Sequence, residues 1–393
     1  MFLTIRFFAE SGRQYSNLKR GLFKVRRKIS ECLIKVSVFA VTASISVALS
    51  GISAGISSQD GASDLFSITV MAAAEEADYG YANVIIEDSG DEESVMQGFF
   101  FDTVTAVRIY GGRAHELAEE CAALCAKMED TFSAQRETSE LYKINHRTEQ
   151  TVEISDDLAA CLKLSLELCE ATDGVYDITV YPVYELWDFH GDVDLIPEDD
   201  DIKNALEAVG YEKVHLEGNT LTFDSPDTMI DLGSAAKGYV SQKIKEFLTQ
   251  EGCESALIDL GRNISTVGAK PNGSKWKVGL QLPFAASGEL LDVVEVRNQC
   301  VISSGIYERY FERDGVLYHH ILDPADGYPV QTDLNMAAVI GDEGTDDTLC
   351  DILSTVCVLL GKEEAEEFLN EQAFPVKVCL IDRDNKYEWV DHD

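Results

Sequence analysis

The chain has 393 residues, 45% of them hydrophobic and 26% charged, enough to bury a sizeable core in one large domain or two small ones. Its 32 basic and 70 acidic residues leave a net charge of −38, which argues against nucleic acid as a partner, because phosphates would be repelled. With 8 Pro and 28 Gly it is neither a disordered tail nor a fibrous repeat.

Residues 1–35 form a basic leader, nine Lys and Arg against Glu10 and Glu31, for a net of +7. The 21 residues of segment 36–56 carry no charge. Together they read as a secretory signal or an uncleaved membrane anchor, with the positive flank cytoplasmic and the acidic body exported. Ser, Thr and Gly recur on every face of 36–56, which disfavours a buried core helix, and no Cys follows it closely enough for a lipid anchor. Residues 57–98 are polar and acidic and read as a linker. Residues 99–393 read as one catalytic body.

Within that body, 103–110 alternates as a strand, and 113–128 and 155–172 have helical periodicity, the latter opened by a Ser/Asp cap. Residues 214–223 read as a hairpin turning at Gly218–Asn219. A helix over 235–250 is followed by strands at 256–260, 275–281, 290–296, 306–312 and 316–319. Helices at 347–360 and 362–370 and a strand at 376–382 close the chain. Without strict strand–helix alternation, the pattern predicts an α+β fold of mixed, largely antiparallel sheet with packed helices. The ten cysteines contain no C-x-x-C pair and no His at zinc-ligand spacing, so they read as small buried hydrophobes.

Five segments concentrate chemistry. In 231–238, Asp231 precedes a Gly-containing turn and a helix that carries Lys237 in its first turns. Free backbone N–H groups and an ammonium there suit an anion, while Asp231 is placed to accept from a ring N–H or hydroxyl. In 256–263 a buried strand breaks at Gly261, where a backbone could approach a ligand closely. His320 precedes an apolar pair and an Asp-Pro turn; as a neutral imidazole it can take a proton from a hydroxyl. Its neighbour His319 points to the opposite face of a strand. Asp351, Ser354 and Thr355 share one helix face and present three oxygens suited to a hard cation such as Mg²⁺. The aromatics of 177–187 read as a core strand or as the flank of a planar ring.

In their order along the chain these segments resemble the FAD:protein FMN transferases, the ApbE family. The resemblance begins at the D-T pair of Asp102 and includes F-S with S-E-L-x-x-I-N between Phe132 and Asn145. It continues through D-I-T-V-x-P-x-x-x-L-W, D-L-G-x-x-A-K-G, L-G-x-N, S-G-x-Y-E-R-Y-F, H-H-I-L-D-P-x-x-G-Y-P and D-x-L-S-T, over about 99–360. It implies an ApbE-like, T-fold-related body that binds FAD and Mg²⁺ outside the cytoplasmic membrane. Such enzymes transfer FMN through its phosphate to a Thr or Ser of an exported FMN-binding-domain protein or a membrane redox subunit, releasing AMP. By position, Asp231 and Lys237 would bind FAD, with Leu186, Trp187, Asp188 and Ile321 contributing to the pocket. Ser234 (through its carbonyl), Asp351, Ser354 and Thr355 would hold the metal, and His320 would be the base. Phe101, Gln135, Tyr181, Asp188 and Arg262 depart from residues common in the family, Arg262 replacing the second Gly of L-G-G-N.

Two competing readings use nearly the same residues. A Mg²⁺-dependent FAD pyrophosphatase would pass the same phosphorus to water. An exported flavin-binding protein would hold FAD without turnover.

Overall fold

Strands that alternate between two buried faces set the architecture. The main sheet is made of β1 (Ile85–Asp88), β2 (Glu93–Phe100), β3 (Thr103–Tyr110), β7 (Ser255–Leu260), β8 (Asn263–Gly268), β11 (Cys300–Gly305), β14 (Leu334–Gly341), β15 (Val376–Asp382) and β16 (Tyr387–Val390), side by side in that order. Every adjacent pair is antiparallel. The computed structural model describes residues 84–187, 189, 194–286 and 288–391. The basic leader, the uncharged 36–56 segment, the first part of the expected linker and Asp188 lie outside them.

β7 and β14 are buried along their whole length, as strands covered on both faces must be. Ala256, Ile258 and Leu260 enter one core with Ala337 and Val339, while Leu257 enters the other with Met336, Ala338 and Ile340. On the second face lies the hairpin of β9 (Trp276–Gln281) and β10 (Leu290–Val296). On the first lie three helices: α1 (Ala114–Phe132), α6 (Ala236–Gln250) and α7 (Asp347–Leu360).

Shorter pieces complete the body: β4 (Thr151–Glu153), β5 (Val214–Glu217) and β6 (Thr220–Phe223) form a small sheet, and β12 (Tyr310–Arg313) pairs with β13 (Val316–His319). The remaining helices are α2 (Glu140–Asn145), α3 (Asp156–Ala171), α4 (Tyr181–Trp187), α5 (Asp199–Leu206) and α8 (Lys362–Gln372). Ser155 caps α3 by accepting from Leu158 N at 3.3 Å, and Asp346 caps α7 through Thr348 N at 2.8 Å. Each such cap is worth about 1 kcal/mol.

The expected strands and helices from 103 onwards stand largely where the pattern puts them, with three corrections. Residues 85–98, expected as linker, supply β1 and β2, because Val95, Met96 and Phe100 are buried against α1 and β3. The strand expected over 306–312 begins only at Tyr310: the chain first turns, sending Tyr307 into the second core. The aromatic 177–187 segment ends in α4 rather than a strand. Asp177 accepts from Thr179 N at 2.8 Å and Tyr211 N at 2.8 Å, which turns the chain, and Pro182 sits in the first helical turn, where a missing N–H costs nothing.

Nine of the ten cysteines are described, and all nine are buried and unpaired. Burial raises the Cys125 and Cys357 thiols to about 12, so they are small hydrophobes at neutral pH.

Candidate active site

Where α6, α7, the β7–β8 turn and the segment before β12 converge, a cleft of about 450 Å³ opens. Its walls include Asp231, Ser234, Lys237, His320, Ile321 and Thr355, six of the residues singled out in the sequence. Asp351 and Ser354 stand directly behind them, 1% and 0% exposed, so the polar side of α7 faces the protein interior rather than water.

The junction of α6 with α7 depends on two complementary features. α6 has no side-chain cap of its own; its first backbone bond runs from Tyr239 N to Ala235 O at 3.0 Å. The Gly238 N–H, which an unbroken helix would aim at Ser234 O, donates instead to Asp351 Oδ2 at 2.8 Å. A carboxylate on one helix thus caps another, and the Ser234 carbonyl is left outside the helical ladder. The approach requires glycine: a Cβ at 238 would lie 2.5 Å from Asp347 O and 2.6 Å from Asp351 Cβ. Burial pushes the Asp351 pKa up, opposed by Lys237, the Asn263 amide and the Gly238 N–H.

Hydroxyls gather beside that carboxylate. Ser304 Oγ is hydrogen-bonded to Ser354 Oγ at 2.7 Å and to Thr355 Oγ1 at 3.0 Å, and Ser354 Oγ donates to Asp351 O at 2.7 Å. The Ser234 hydroxyl is hydrogen-bonded to Tyr176 OH at 2.9 Å, so its carbonyl is the freer oxygen. Among the described residues there is no group of three His, Cys, Asp or Glu side chains able to hold a metal. One carboxylate, hydroxyls and a carbonyl make a sparse, hard-oxygen set. It fits Mg²⁺, which keeps waters and takes substrate phosphates, better than Zn²⁺, which wants nitrogen or sulfur.

His320 follows β13 and its main-chain N donates to Arg309 O at 3.1 Å. Its Nδ1 is buried without a hydrogen-bond partner. Enclosure, aided by the Arg309 guanidinium, lowers its pKa to about 3, so the ring is neutral at pH 7. His319, only 2% exposed, points away from the cleft, as strand alternation predicts. Asp231 lies on the floor; enclosure raises its pKa against the Gly233 N–H, Arg309 and Lys237.

The 177–187 segment does not all reach the cleft. Tyr181 and Tyr184 line it, one turn apart on α4. Trp187, expected there, is fully buried in a third cluster with Val183, Ile202 and Leu322, and its Nε1 donates to Gly327 O at 2.8 Å. Leu186 packs on the same cluster and is absent from the cleft wall. The sequence pointed to Leu186, Trp187 and Asp188 of this segment, whereas the α4 side chains on the cleft wall are Tyr181 and Tyr184; the signal that separates the two faces is helical spacing, 181 with 184 against 183 with 187. Sequence reasoning also passed over Ser304, Glu308 and Arg309 of the S-G-x-Y-E-R-Y-F motif, which line the cleft because the chain turns before β12.

The fold is α+β, and its cleft gathers an ammonium, a cluster of hard oxygens and a neutral imidazole. The sequence model described as "ApbE family" matches residues 101–380. The FAD:protein FMN transferase of Treponema pallidum is 33% identical over 68% of this chain and 79% of its own, and that of Klebsiella pneumoniae 33% over 63% and 77%. Among solved structures, the ApbE protein of Thermotoga maritima aligns with a TM-score of 0.68 at 26% identity, covering 76% of this chain and 96% of that one. The flavin transferase ApbE of Vibrio cholerae aligns at 0.65 and 25%, with the same coverage. The chain belongs to the ApbE family.

Proposed function

We propose that this protein is an FAD:protein FMN transferase that moves FMN from FAD to a Thr or Ser hydroxyl of an acceptor protein and releases AMP. The observation that carries the reading is the meeting, in one cleft, of Lys237, the hard-oxygen cluster around Asp351 and a neutral His320. Phosphoryl transfer needs charge neutralisation, in-line placement and one proton acceptor, with little covalent help.

In this reading Asp231 accepts from the isoalloxazine N–H, Lys237 faces the diphosphate, and Ile321 with Tyr181 and Tyr184 supplies apolar wall. Ser234 O, Asp351, Ser354 and Thr355 would hold Mg²⁺, which would supply neutralisation of the diphosphate charge. The acceptor hydroxyl gives its proton to His320 while its oxygen bonds to the FMN phosphorus. The bond from that phosphorus to the bridging oxygen breaks, and AMP leaves with the electron pair. Trp187 and Leu186 support α4 from behind. The basic leader and the uncharged 36–56 segment export the body or anchor it to the membrane, where its acceptor, an FMN-binding-domain protein or a redox subunit, also resides. Among the described residues no helix is long and apolar enough to cross a membrane.

The test incubates the protein with FAD, Mg²⁺ and an FMN-binding-domain acceptor and inspects a denaturing gel under ultraviolet light. A fluorescent acceptor band that needs Mg²⁺ is expected. Free FMN with AMP and no band would make water the acceptor, and no product at all would leave a flavin-binding protein.

A further inference from the structure

The turn that joins β7 to β8 is built from the wrong residue for its shape. It has two residues, Gly261 at φ +64° and Arg262 at φ +76°. A two-residue hairpin loop with positive φ at both positions is the type I′ pattern, which favours Gly, Asn or Asp. Gly261 must be glycine, since a Cβ there would meet Thr103 Oγ1 at 2.1 Å. At Arg262 a long side chain stands where the backbone favours none, in a conformation that L-residues avoid. The backbone is held by Arg262 N donating to Asp259 Oδ1 at 3.2 Å.

Arg262 lines the cleft, as do Lys237, Ser304 and Thr355. Its guanidinium sits 5.1 Å over the Tyr307 ring and pairs through Nη1 with Glu308 Oε1 at 3.3 Å, the Arg262 and Glu308 side chains being 39% and 31% exposed. A part-exposed ion pair of this kind is weak and exchanges readily. Glu308 also lines the cleft; partial desolvation raises its pKa, opposed by the charges of Arg262, Lys237 and Arg309. A carboxylate thus holds the Arg262 guanidinium at the cleft in the way a phosphate group would.

We propose that Arg262 is a specificity-determining residue of the cleft: its guanidinium leaves Glu308 for the diphosphate of the incoming dinucleotide, and the left-handed turn exists to aim it there. The proposal rests on the transferase reading, and its test separates the two. Arg262→Gly gives the turn its preferred residue, so the protein should melt at the same or a higher temperature. Its KM for FAD should rise roughly tenfold or more, the loss of a charge-assisted hydrogen bond, while its KM for the acceptor protein stays put. In direct titrations ADP, which carries the diphosphate, should weaken as FAD does, and riboflavin, which carries none, should not.

Unchanged FAD and ADP affinity in a transferring wild type would overturn the role of Arg262 alone. So would an equal loss for riboflavin, which would mean ring packing, or a marked fall in melting temperature, which would mean a structural strut. A wild type that neither binds FAD nor labels the acceptor would overturn both readings.

Discussion

α4 and α7 are both short stretches of helix carrying motif residues, and they use their faces in opposite ways. On α7 the motif's polar residues Asp351, Ser354 and Thr355 fall at offsets of three and four and share one face, with Thr355 on the cleft wall and Asp351 and Ser354 buried directly behind it. On α4 the conspicuous residues divide, Tyr181 and Tyr184 toward the cleft and Val183 and Trp187 toward the core. A motif therefore marks a stretch of chain; helical spacing decides which of its members meet the ligand.

Substitutions can break this contrast. The largest effect should come from Asp351→Asn, which keeps an oxygen to accept from Gly238 N but removes the charge. FMN transfer should fall by about 10³-fold or more at a melting temperature near that of wild type. Activity within tenfold would remove Asp351 from the metal set. His320→Ala should slow transfer by roughly 10²-fold with FAD affinity almost unaltered; full activity would exclude it as the base. Gly238→Ala tests the junction itself, and its Cβ clash should cost about 3 kcal/mol in a denaturant titration.

The imidazole adds a pH effect with a definite sign. Its folded pKa is lowered to about 3, so the unfolded chain binds the proton more readily between there and pH 6.5. Stability from His320 is full above 6.5 and is lost as pH falls, about 2 kcal/mol by pH 5. Chemical denaturation of His320→Asn at pH 7 and pH 5 should show that share missing; an identical fall in both proteins would refute it. On the other helix, Trp187→Phe should cost about 1–2 kcal/mol through the lost bond to Gly327 O, with KM for FAD unchanged. A raised KM would return Trp187 to the ligand.

Much of this was legible before any coordinates. Helix 347–360 and the hairpin 214–223 announce themselves by periodicity and by Gly218–Asn219, and the motif order carried the family. What escaped has physical causes. β14 is buried on both faces, so it lacks the alternation that advertises a strand, and β11 has only three apolar residues before Ser303 and Ser304 reach the cleft. β1 and β2 hide in an acidic stretch because they lie at the sheet's edge, where one face meets water. The cap that Asp351 lends to α6 joins residues 113 positions apart, a pairing no local pattern encodes.

The nine enclosed thiols have a use of their own. Cys121, Cys125, Cys161 and Cys357 are shut inside the core, and their raised pKa values leave almost no thiolate at neutral pH. Among the described residues, a thiol reagent therefore finds no sulfur to attack while the body is closed. Every modified sulfur among these nine records an opening event, so labelling followed by mass spectrometry would time the breathing of this body helix by helix, with reporters the sequence already provides.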